Sequence, residues 1–125
     1  QPGVFFTPST GVGALSFPAD GSTAAQRAAR PGEPVELYAV GLGAVNSAPE
    51  VGEPASAFFL AETVLEPTVS IGGRVLPATF SGLAPGFAGL YQINFDLPQD
   101  LLPGRYELLI TVDGRVSNVV FLDVE

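Results

Sequence analysis

A chain of 125 residues, 46% of them apolar, is long enough to bury one core without disulfides or metal, and its 15 Gly and 12 Pro fall between apolar runs as turn residues. A net charge of −8, from 5 basic and 13 acidic residues, leaves no basic cluster for phosphate, so neither nucleic acid nor anionic membrane is an expected partner. The sequence contains no His, Cys, Lys, Met or Trp, which excludes Ser–His triads, thiolate nucleophiles, Lys Schiff bases and the common zinc sites.

In chain order, Gln1-Pro2-Gly3 leads into Val4-Phe5-Phe6, a short apolar strand; Val12 to Phe17 reads as a second strand, closed by Asp20-Gly21. The first residues carry no basic region followed by an apolar stretch, so a signal peptide is expected to have been removed or to lie outside the sequence. Ser22 to Ala29 is small and polar, with Arg27 inside it and Arg30 just beyond; it has room for one helical turn, but Pro31-Gly32 stops anything longer, so it reads as loop. In Pro34 to Val40, Val35, Leu37 and Ala39 alternate with Glu36 and Tyr38, the period of a strand with one buried face. From Gly41 to Leu65 the pattern is lost around Pro49, Pro54, Glu50, Glu53 and Glu62, with an apolar run Phe58-Phe59-Leu60 inside. Excursions longer than about 12 residues are uncommon unless they act or fold onto the surface.

Pro67 to Ile71, the turn Gly72-Gly73 and Arg74 to Phe80 predict a hairpin whose second strand Pro77 confines to an edge or bulge. Tyr91, Ile93, Phe95 and Leu97 then alternate with Gln92, Asn94 and Asp96; Tyr106, Leu108, Ile110 and Val112 alternate with Arg105, Glu107 and Thr111. Asp113-Gly114 is a two-residue hairpin signal, because both central positions of the favoured turn need positive φ. Ser81 to Val124 thus predicts three antiparallel strands, and the chain as a whole an all-β, antiparallel sandwich of about eight or nine strands in a single domain. No spanning helix is expected, since no apolar run approaches ~20 residues.

Several segments together resemble one family: PGVF from Pro2, ELYAVGLGAVN from Glu36, PTVSIGG from Pro67, GLAPGFAGLYQINFDLP from Gly82 and LPGRYELLITVDGRVSN from Leu102. They look like a C-terminal repeat domain of large secreted acidobacterial proteins, and the second half is similar to immunoglobulin-like and IPT-type modules of bacterial surface proteins. The resemblance spans essentially the whole chain. It implies an extracellular immunoglobulin-like sandwich at the cell surface, with no family activity and no catalytic residue to carry over. Members of this kind often run from a closing strand like Phe121 to Val124 straight into another PG-[IV]-F segment, which implies head-to-tail neighbours. Gln1 to Phe17 accordingly has two readings: the domain's own first strand, or a strand donated to a neighbouring copy in a filament.

Candidate sites are few. Val4, Phe5 and Phe6 are candidate partner contacts through the first segment; Phe58 and Phe59 form either a plug over the core or a patch for a partner; Phe87, in the Ala84-Pro85-Gly86-Phe87 loop, is a candidate contact for carbohydrate. The other rings available to a sugar are Tyr38, Phe80 and Tyr91, the last assigned to the core by its alternation. Asp20, Asp96, Asp100 and Asp113 lie beside turns where carboxylates could gather calcium, but no calcium-loop spacing is present and turn geometry accounts for Asp20-Gly21 and Asp113-Gly114. No cofactor is expected. The pairs Glu33/Glu36 and Asp96/Asp100 sit in no glycosidase motif, so no enzymatic activity is expected either. Gln92, Asn94 and Ser117-Asn118 read as amides and a hydroxyl that pin strand register.

Overall fold

The computed structural model describes residues 2–46, 62–84 and 89–125, and among these every regular element is a strand. In chain order the strands are β1 (Gly3–Val4), β2 (Leu15–Phe17), β3 (Ser22–Thr23), β4 (Pro34–Val40), β5 (Thr68–Ile71), β6 (Arg74–Pro77), β7 (Phe80–Leu83), β8 (Tyr91–Asp96), β9 (Gly104–Val112), β10 (Arg115–Val116) and β11 (Val120–Val124). They form an antiparallel β-sandwich. One sheet has the order β3-β2-β4-β8-β7 with β1 also on β4; the other has β10-β9-β5-β6 with β11 also on β9. The count of 11 exceeds the eight or nine expected because β1, β3 and β10 are two-residue pieces.

The alternating patterns build the core as their period requires. Val35, Leu37 and Ala39 of β4 face Phe95, Ile93 and Tyr91 of β8 in direct register, while Leu108, Ile110, Leu122, Val69 and Ile71 close from the second sheet. Phe17, Leu37, Ile93, Phe95, Leu108, Ile110 and Leu122 are fully buried. Truncating a side chain in such a close-packed layer typically costs about 2–5 kcal/mol, because the transfer loss adds to an unfilled cavity. Both predicted two-residue turns are present: Asp113 and Gly114 have φ of 50° and 74°, Gly72 and Gly73 of 56° and 85°.

The run from Ser81 to Val124 contributes to both sheets: β7 and β8 join the first, β9, β10 and β11 the second, and residues 97–103 cross between the layers. Other expectations need correction. Arg74 to Phe80 is not one strand: β6 ends at Pro77, and β7 starts at Phe80 in the opposite sheet. Val12 to Phe17 contains only a three-residue strand, because its first part pairs elsewhere.

That first part belongs to a finger. β1 and β2 lie along the same edge of β4, at Val40–Ala39 and Leu37–Glu36, and the chain between them leaves the edge as a small hairpin. Thr7 N donates to Val12 O (2.8 Å), Ala14 N donates to Phe5 O (2.8 Å), and Phe6 opposes Gly13. The finger then reaches the second sheet, where Gly13 N donates to Phe121 O and Phe121 N donates to Gly11 O, a parallel pairing that covers the edge of β11.

The chain ends fall at opposite poles. Gly3 pairs with Val40, the last residue of β4, while Val124 pairs with Gly104 and bridges to Ala29, shortly before β4 begins at Pro34.

Candidate functional site

On β4 and β8 the positions that alternate with the core point outward, and the register aligns them in rows. One row holds Ser16, Glu36, Asn94 and Phe80; the next holds Tyr38, Gln92 and Gly82. Phe5 adjoins the second row through its backbone, its N–H donating to Tyr38 O at 3.3 Å. Gln92 Nε2 donates to Glu36 Oε2 (2.7 Å) and to Asn94 Oδ1 (2.8 Å), and Ser16 Oγ donates to Glu36 Oε1 (3.4 Å). Ser16 Oγ also lies 3.3 Å from the Tyr38 hydroxyl, so the chain of contacts runs without a break from Asn94 to Tyr38. Gln92 is only 9% exposed, and such a network fixes its members' rotamers.

The network ends at a cleft of about 260 Å³ between the finger and the sheet, lined by Thr7, Gly13, Ala14, Ser16, Thr23 and Tyr38 among others. A smaller cleft, about 100 Å³, opens at the other edge beside Phe80, Glu62 and Glu66. There Thr63 Oγ1 donates to Ser81 Oγ at 2.9 Å, extending the first sheet beyond β7.

At the pole where β11 ends, the Ser22–Ala29 loop carries a charged network. The Arg27 guanidinium lies 4.1 Å from the Phe17 ring centroid and donates to both Glu33 oxygens (2.9 and 2.8 Å), while its Nε and Nη2 reach Asp20. Arg30 bonds Glu125 Oε1 at 3.0 Å, tying the same loop to the end of β11. Arg27 holds the Glu33 carboxyl below its usual range against the opposing effect of burial; Ser22, through hydroxyl and backbone, and then Arg27 do the same for Asp20.

At the opposite pole, Asn118 clamps the start of the chain. Its Oδ1 accepts from Val4 N (2.8 Å) and its Nδ2 donates to Val4 O (3.0 Å), so one carboxamide serves β1 as a neighbouring strand would. Ser117 Oγ accepts from Ile110 N at 2.9 Å and donates to Asn118 O at 2.9 Å, which fixes the chain just before β11. These contacts join the PGVF and VSN segments physically, and they give the Ser117-Asn118 pair the register-pinning role its sequence suggests.

Among the predicted contact residues, Val4 is buried in the core, whereas Phe5 and Phe6 stand on the finger at 47% and 49% exposure. Phe58, Phe59 and Phe87 lie outside the described residues. Tyr91 packs on the core and donates its hydroxyl to Gly43 O at 2.6 Å; Tyr38 faces outward. The turn carboxylates do not converge: Asp20 is held by Ser22 and Arg27, Asp100 by Arg74 at 2.8 and 3.0 Å, and Asp113 sits in its hairpin turn. Among the described residues no group of three or more acidic side chains is placed to hold a metal ion. Sequence reading passed over Ser16, Thr7 and Thr23 because nothing in their own segments shows that the finger brings them to Tyr38. The signal that could have found them is the shared register of two strands with β4. No family model, curated protein or solved structure matches the chain.

Proposed function

We propose that this chain is a non-catalytic extracellular module that links end to end with copies of itself or with neighbouring domains of a surface protein. The observation that carries the reading is the placement of Gly3 and Val124 at opposite poles of the sandwich, so that successive units extend in a line instead of folding back. The composition supports the absence of catalysis: with no His, Cys or Lys, the reactive groups left are chiefly carboxylates and hydroxyls, and the most enclosed carboxylate among the described residues, Glu33, is bound by Arg27. The resemblance to secreted repeat domains supports an extracellular setting.

The linking element in this reading is the first strand. β1 spans two residues, is held on one side by β4 and on the other by the Asn118 carboxamide, and is followed at once by the exposed rings of Phe5 and Phe6. A short strand with a side-chain clamp exchanges between copies more readily than one embedded in a ladder, since few backbone hydrogen bonds must break. Sedimentation velocity on the intact chain and on a chain lacking residues 1–6 tests this. Concentration-dependent association that the truncation abolishes is the expected result; an unchanged size distribution contradicts strand exchange.

A further inference from the structure

The outer face of the first sheet carries a cleft that end-to-end linkage does not use. We propose that this cleft, between the finger and β2–β4, is a binding site for one ring of a neutral glycan. The inference does not rest on the linkage reading, because the residues that line the cleft run from Thr7 to Tyr38 and none of them belongs to residues 1–6.

Three features define the ligand class. The first is size: about 260 Å³ falls just below the ~300–1,000 Å³ of sites for drug-sized ligands, which suits a single ring of a longer chain. The second is the pairing of surface types. Ala14, Gly13, Leu15 and the Tyr38 ring supply apolar surface, so a ligand with a CH-rich face can stack there. Around this floor the hydroxyls of Thr7, Thr23 and Tyr38 can donate or accept and that of Ser16, which donates to Glu36, can accept, which is the chemistry needed by ligand hydroxyls of unfixed orientation.

The third feature is charge. Among the described residues no charged side chain lines the cleft, and the Glu36 carboxylate stands behind Ser16 with its other oxygen occupied by Gln92. An anionic ligand such as a phosphate, sulfate or uronate would find no cation and would meet a chain of net charge −8. A cationic ligand would need Glu36 at the surface of the cleft, where its bonds to Gln92 and Ser16 do not leave it. Ser16 Oγ donates to Glu36 Oε1 and so keeps its lone pairs to accept from the Tyr38 hydroxyl or a ligand hydroxyl. Tyr38 is the central binding residue in this arrangement, since it contributes ring and hydroxyl together.

Amide chemical-shift mapping on the intact chain tests the assignment, with cello-, xylo-, manno- and chito-hexaose as probes and heparin and choline as charged comparisons. The proposal expects at least one neutral oligosaccharide to shift Ser16, Thr23 and Tyr38 saturably, with neither charged compound doing so. Tyr38→Ala is expected to weaken that binding ten-fold or more, Tyr38→Phe by less, and Val75→Ser on the other sheet not at all. Should Tyr38→Ala fail to fold, Thr23→Val and the wild-type shift map decide alone. No shift with any neutral probe at millimolar concentration, shifts that map away from the cleft, or a response to heparin or choline in place of the sugars would each overturn it.

Discussion

At the residue scale, the side chains that hold this fold in its particular form are mostly polar. Asn118 substitutes for a strand, and replacing it with Ala removes both bonds to Val4. At about 0.5–1.5 kcal/mol per hydrogen bond, the loss should be about 1–3 kcal/mol, read as a lower urea midpoint, with faster amide exchange at Val4 and Phe5 before the core is affected. Gly13 has a different constraint: a Cβ there would meet Leu15 Cδ1 at 2.6 Å and Val120 Cγ2 at 2.8 Å, both on buried side chains. Gly13→Ala should therefore cost about 1–3 kcal/mol through overpacking, detectable in the same denaturation series. Glu33 supplies the pH dependence. Its folded-state pKa is depressed, so its contribution is fully present above the unfolded value of 4.5 and is lost as pH falls through the lower folded one. Asp20, Asp100 and Asp123 shift in the same direction, each beside an arginine or serine partner. Thermal melts should thus show stability level near neutrality and falling below about pH 4.5, with Glu33→Gln flattening that acid limb. The substitution itself should cost more than the ~1 kcal/mol of an exposed pair and less than the ~3–5 kcal/mol of a fully buried one, since Arg27 remains partly exposed.

At the scale of elements, what the sequence made legible follows from period. β4, β8 and β9 each alternate over six or more residues, and both two-residue turns carry glycine where positive φ is required, so these elements could be read directly. The layer assignment could not be read, because a strand's own pattern says which face is buried and not which sheet it joins. β7 is illegible for a further reason: four residues with Gly82 in the outward row show no alternation, and only pairing with β8 defines them. The finger was hidden because its partners, Tyr38 and Phe121, are remote in sequence. Of the candidate cleft, Tyr38 and its outward orientation were legible, whereas the hydroxyls gathered around it were not.

Pro77 shows an element-scale device in plain form. The register from Ile71↔Arg74 to Thr68↔Pro77 turns the nitrogen of residue 77 toward the free edge of the second sheet, where a proline offers no donor. Pro77→Val should leave the monomer folded, by unchanged circular dichroism, yet raise lateral self-association in light scattering, because Val75 and residue 77 would then present a continuous edge.

At the scale of the whole molecule, the sandwich keeps unlike surfaces apart. The poles hold the clamp on β1 and the Arg27 network beside the end of β11; one broad face holds the polar rows and the cleft; among the described residues the edge of β6 carries Pro77 and that of β11 is covered by the finger. In the proposed linkage copies meet at the poles, where Gly3 and Val124 lie. Electron microscopy of the concentrated chain tests it most directly. The account predicts unbranched single-file strings with an axial repeat of at least ~30 Å, the length of nine-residue β9 at ~3.4 Å per residue, and their loss when residues 1–6 are removed. Isolated particles at every concentration, or closed pairs joined along their sides and indifferent to that truncation, would contradict it.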